Sequence, residues 1–177
     1  MKMNKESLFW LLVTLSALAA LGYLLGQSDG QPLYNSADER HALANDCIGG
    51  HGSEDDPLVD HYHATLRISV LGDDFPVPAN VGLNDGDCTM RPLHTHSEGG
   101  GLHLEFKEAN VEAPLEAFFD IWGLHMDSTG IDDYRVDADH EFLMFVTENN
   151  QRVQMDDFEQ HIIKDGQTIE LIYRAVE

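Results

Sequence analysis

The chain has 177 residues, 32 of them Asp or Glu against 10 Lys or Arg, for a formal net charge of −22 at pH 7. That length holds one membrane segment and one ordinary globular domain, not two full domains. So acidic a chain excludes the polyanions, nucleic acid and anionic lipid surfaces, as partners. There are only four lysines, and the acidic residues are dispersed rather than gathered in a tail. This pattern predicts a surface kept soluble at high ionic strength, where charges are screened, as in a salt-loving source.

Residues 1–7 carry Lys2 and Lys5, and residues 8–26 form an apolar stretch. At about 1.5 Å rise per residue this stretch comes close to the roughly 30 Å hydrocarbon thickness of a bilayer. Ala17-Leu18-Ala19 has the small-x-small form of a signal-peptide cleavage site. Cleavage there would leave Leu21, Tyr23, Leu24 and Leu25 on the new terminus, so an uncleaved single-pass anchor is the expectation. The two lysines precede the span and no basic residue follows it until Arg40. The N-terminus is therefore expected inside and the domain outside the cell membrane.

Residues 27–60 are rich in Asp, Gly, Ser, Asn and Pro without a sustained period, and read as an acidic linker and irregular lead-in. Residues 61–177 read as the extracytoplasmic domain. From His61 the chain alternates, with Tyr62, Ala64, Leu66, Ile68 and Val70 apolar and the residues between them polar, as in a half-buried strand. Gly72-Asp73-Asp74 and Asn84-Asp85-Gly86-Asp87 read as turns. Leu93 to His96 and Leu102 to Phe106 are short alternating runs around Ser97–Gly101, expected to pair antiparallel. Leu115, Phe118, Phe119 and Trp122 recur at helical spacing between Pro114 and Gly123, which predicts one short amphipathic helix. Glu141 to Thr147 and Gln151 to Gln154 form a second predicted hairpin, and Thr168 to Arg174 a closing strand. The fold class expected is β-rich α+β, with antiparallel sheets and one helix, or alternatively a β-sandwich.

The histidines fall in phase with this alternation. His61 and His63 share one strand face, His94 and His96 a second, and His103 and Glu105 a third, each opposite the apolar set. Residues two apart on a strand lie about 6.5 Å apart at Cα, so two imidazoles can lean toward one ion at about 2.0–2.1 Å. If the strands are neighbours, His61, His63, His94, His96 and His103 converge, and imidazole suits copper or zinc. Glu105 is a candidate ligand or an acceptor for the second ring N–H of a ligating histidine. Cys88 is a further candidate through its thiolate, unless a disulfide to Cys47 removes it; such a disulfide is allowed in an oxidising compartment. One His-x-His alone more often means two solvated imidazoles; two of them followed by His103-x-Glu105 favour a metal site over a polar or pH-responsive patch. His41, His51, His125, His140 and His161 are read as surface or structural by default, with His51 the least settled because it stands in a Gly-rich loop beside Cys47. The Phe118, Phe119 and Trp122 stripe is read as core.

The set His61-Tyr62-His63, Pro78-Ala79-Asn80-Val81-Gly82, Cys88, Leu93-His94-Thr95-His96, His103-Leu104-Glu105 and Phe118-Phe119-Asp120-Ile121-Trp122-Gly123 resembles a widespread family of membrane-anchored extracytoplasmic proteins of archaea and bacteria. The resemblance covers about residues 61 to 123 and, more loosely, the closing hairpin. It implies an anchored domain with a site at these residues, and no reaction. The glycine and glutamate that cupins hold at fixed offsets from such a pair are absent around His94 and His96. No methionine follows Cys88 and His94 at a cupredoxin spacing. Three functions are therefore expected to compete: a metal-handling or sensing module for copper or zinc, a metalloenzyme with an open position beside Glu105, and a metal-free accessory domain of a membrane complex. No GxSxG, HExxH, phosphate-cradling loop or paired CxxC supports a known catalytic class, so an enzyme ranks second. No protein partner is named by the sequence.

Overall fold

A computed structural model describes residues 40–52 and 56–176. The expected anchor over 8–26 and residues 27–39 and 53–55 of the linker lie outside these residues. Among the described residues no helix is long and apolar enough to cross a membrane.

The elements follow in chain order. A one-turn helix α1 (Ala42–Asn45) precedes the long strand β1 (Asp60–Val70). Five short strands come next: β2 (Asp73–Asp74), β3 (Leu83–Asp85), β4 (Cys88–Met90), β5 (Leu93–His94) and β6 (Gly101–Phe106). Helix α2 (Leu115–Trp122) leads to a small meander of β7 (Met126–Asp127), β8 (Gly130–Ile131) and β9 (Tyr134–Arg135). Strands β10 (His140–Glu148) and β11 (Gln151–Met155) form a hairpin, and β12 (Thr168–Ala175) closes the chain.

One sheet dominates, in the order β11-β10-β12-β1-β6-β5 with β2 attached to β1. The predicted pairing of the Leu93 and Leu102 runs is present as antiparallel β5–β6, and the second hairpin as β10–β11. The expectation of purely antiparallel sheets needs one correction: β12 runs parallel to β1, with Thr65 opposite Thr168 through Val70 opposite Tyr173. Both strands alternate, and alternation sets which face is buried without setting direction. The fold is thus a β-rich α+β arrangement on a mixed sheet.

Alternate residues of β1 and β6 face the core. Leu66, Ile68, Leu102 and Leu104 are buried there with Phe118, Phe119 and Leu115 of α2 and with Met144, Ile169 and Leu171. Each such side chain contributes on the order of 1.5–3 kcal/mol on leaving water. The helix stops where Gly123 adopts φ 74° and returns its N–H to the carbonyl of Phe119 at 2.8 Å, a left-handed cap that a side chain would strain.

The lead-in is more ordered than its composition suggests. Ala44 is fully buried in the main core. Asp120, on α2 and 1% exposed, accepts the backbone N–H of His41 at 2.6 Å through Oδ2, while its own carbonyl accepts from the Arg40 guanidinium. The Asp of the Phe118–Gly123 motif therefore fastens the segment that enters the domain. Replacing Asp120 by Ala leaves that half-buried N–H without its acceptor, and a loss of about 1–3 kcal/mol in urea unfolding is expected, with faster hydrogen exchange at His41 and Leu43. Unchanged exchange at those amides would show that the lead-in is held by other means.

Candidate metal centre

The three strands that carry the histidines are neighbours, and their register sets the histidines opposite one another. His61 on β1 faces Glu105 on β6, His63 faces His103, and His94 on β5 faces His103 from the other side. Directly opposed side chains on one face lie about 4.5–5.5 Å apart at Cβ, so the rings must touch. His63 Nε2 lies 3.1 Å from His61 Nε2 and 3.1 Å from His103 Nδ1. His94 Nε2 lies 3.2 Å from His96 Nε2, and the rings of His94 and His103 stack with centroids 5.3 Å apart. The ring nitrogens of His61, His63 and His103 form one group able to hold a cation, and those of His51, His94 and His96 a second.

Local backbone chemistry aims these rings. Thr95, between His94 and His96, points to the opposite face and is fully buried. Its hydroxyl donates to the carbonyl of Pro78 at 2.8 Å and accepts from the N–H of Val81 at 3.1 Å, while its own N–H and carbonyl pair with Val81 and Asn80. The Pro78–Gly82 segment is therefore a clamp behind the His94-Thr95-His96 backbone. Gly82 closes it at φ +74°, where an added Cβ would stand 2.6 Å from the carbonyl oxygen of Leu93 and 3.1 Å from Cβ of His94. On the other flank, Asp165 accepts the N–H of His63 at 3.1 Å and Gly166 donates to the His63 carbonyl at 2.7 Å.

His94 Nδ1 lies 3.0 Å from the carbonyl of Arg91. A carbonyl can only accept, so Nδ1 carries the proton and Nε2 presents its lone pair to the cluster. Burial pushes the His94 pKa down to about 4, outweighing the hydrogen bond to Arg91 and the charge of Glu105. Burial lowers His103 as well, aided by its neighbours His63 and His96. Both imidazoles are thus kept neutral at pH 7, the form that ligates metal.

Glu105 sits at the floor with its side chain 0% exposed. Among the described residues the basic side chains against its carboxylate are all histidines: His51 Nδ1 at 3.1 Å, His61 Nε2 at 3.3 Å and His94 Nε2 at 4.0 Å. The rim is open, since the side chains of His51 and His61 are 61% and 45% exposed.

Two sequence expectations change. Cys88 is not a ligand, because it is bonded to Cys47 and has no thiolate to offer. His51, expected at the surface or in a structural role, belongs to the cluster. The disulfide and the N–H groups of Ile48 and Gly49, both directed at the carbonyl of Met90, bring the Gly49–Gly52 loop over β4 and deliver His51 to Glu105. The spacing of four residues between Cys47 and His51 was the available signal, and it becomes one only when the disulfide partner is known. His140 and His161 lie elsewhere, bound to Asp137 and Asp157.

Gly82→Ala is expected to lose at least about 2 kcal/mol from backbone strain and the Leu93 contact, read by thermal unfolding. A variant as stable as the parent would show that the clamp is slack. Comparison with family models, with curated proteins and with solved structures finds no match for this chain.

Proposed function

We propose that this is a single-pass, membrane-anchored extracytoplasmic protein that binds copper or zinc through its histidine face, for metal handling or sensing. The observation that carries the reading is the contact of His63 Nε2 with two other ring nitrogens at 3.1 Å each. A ring nitrogen owns one in-plane hydrogen or one lone pair, so it cannot make both contacts as good directional hydrogen bonds. Three lone pairs converging on one cation resolve the conflict. Nitrogens bound tetrahedrally at about 2.0–2.1 Å stand roughly 3.3 Å apart, close to the separations present.

The donor set favours the metals named. Imidazoles suit copper and zinc, whereas calcium and magnesium call for oxygen cages. The Cys47–Cys88 disulfide accords with an oxidising compartment, and the apolar stretch 8–26 after Lys2 and Lys5 supports the anchor and its orientation. A metalloenzyme is the second reading, favoured by the open rim: three-histidine groups leave positions free for water or substrate.

The test is metal analysis of the detergent-solubilised full chain, loaded with copper or zinc and passed over a chelating resin. The parent should retain metal. A variant with His51, His61, His63 and His96 all replaced by Ala should retain none above background, with an unchanged circular dichroism spectrum because all four are exposed. Retention unaffected by the four substitutions, or none in the parent, would overturn the proposal.

A further inference from the structure

The six clustered imidazoles divide without overlap. His61, His63 and His103 make one group and His51, His94 and His96 the other, each with ring nitrogens within 4.8 Å of one another. One cation accounts for one group and leaves three imidazoles gathered for no chemical reason.

Between the groups stands Glu105. His51, of one group, lies 3.1 Å from Oε1 and 3.2 Å from Oε2, and His61, of the other, lies 3.3 Å from Oε1. A third possible ligand group, His94, His103 and Glu105, takes one histidine from each side. A carboxylate has two oxygens and can serve two cations at once, and paired metals in protein sites stand about 3.5–4 Å apart.

The charge balance points the same way. Glu105 is fully buried, and among the described residues the basic groups against it are imidazoles alone. A buried anion is costly without a positive partner. Every Arg or Lys ion pair among the described residues is made with another acid: Arg91 with Asp85, Lys107 with Asp56, Arg152 with Glu170 and Arg174 with Glu141. Bound cations would supply a permanent positive charge beside Glu105 that neutral imidazoles do not, and the rim at His51 and His61 is open to solvent.

We infer that the histidine face is a dinuclear centre. It takes two divalent copper or zinc ions, one on His61, His63 and His103 and one on His51, His94 and His96, with Glu105 bridging them. This rests on the metal-binding reading above and adds to it a second ion and a bridge.

Copper(II) is the probe, because count and coupling can both be read. The full-length protein in detergent is loaded, passed over a chelating resin and analysed, with the four-histidine variant defining background copper. The parent should hold two equivalents above background. His51→Ala/His96→Ala and His61→Ala/His63→Ala should each hold one, since each empties a different group. In the electron paramagnetic resonance spectrum, the parent's integrated signal should fall well below two spins through coupling across the bridge. Each half-site variant should show a full single-ion signal for its one copper. Glu105→Gln should abolish the coupling.

One equivalent in the parent would overturn the dinuclear centre and leave the metal-binding reading standing; none would remove both. Two equivalents with a full uncoupled two-spin signal would refute the bridge. Loss of all copper in either half-site variant would refute the division into two groups.

Discussion

The register between β1 and β6 is the constraint from which the centre follows. Asp60 pairs with Phe106 and Thr65 with Gly101, so every odd residue of β1 over this span meets an odd residue of β6. Side chains alternate with a period of two, and a slip of one residue would send His61 and His63 into the core and Ala64 and Leu66 to solvent. The apolar set, fully or nearly buried against α2, forbids that slip at a cost of several kcal/mol. The forces that build the core therefore also assemble the histidine face, although no histidine contributes to the core.

The centre is rigid at its floor and open at its rim. His94 is held by the Arg91 carbonyl at Nδ1 and by the Thr95 clamp behind it, while Glu105 is enclosed by the rings around it. His51, by contrast, comes from a loop fixed by a disulfide and two backbone hydrogen bonds to Met90. A loop ligand tied down this way loses less conformational entropy on binding than a free one. A disulfide closing a loop of 41 residues limits the unfolded chain by about 4 kcal/mol on the chain-entropy account. The two cysteines thus serve the site without entering it.

Much of this was legible in the sequence because strand alternation is a strong signal. The in-phase histidines, the hairpin of β5 and β6 and the helix between Pro114 and Gly123 all follow from local periodicity and turn chemistry. What escaped depends on contacts between distant segments. The parallel β1–β12 pair has the same alternation as an antiparallel one. Asp120 reads as a polar interruption of an apolar helix until Arg40 and His41 are seen to dock on it. His51 lacks a His-x-His partner, and its place is set by a covalent bond to a residue 41 positions from Cys47. The close approach of Gly82 to Leu93 is visible only in the fold.

The acidic surface gives the proposed site a reason to use imidazole. A chain with net charge −22 draws every cation toward it, and this attraction does not distinguish copper from sodium or magnesium. Carboxylates alone would compound the problem, since they favour hard cations such as magnesium and calcium. At high ionic strength the surface attraction is screened within a few ångströms. Coordination bonds from neutral nitrogens survive that screening and prefer copper and zinc. In the proposed centre, six imidazoles around a single buried carboxylate would give selectivity through the nitrogens. The carboxylate that would help to hold cations is buried away from salt.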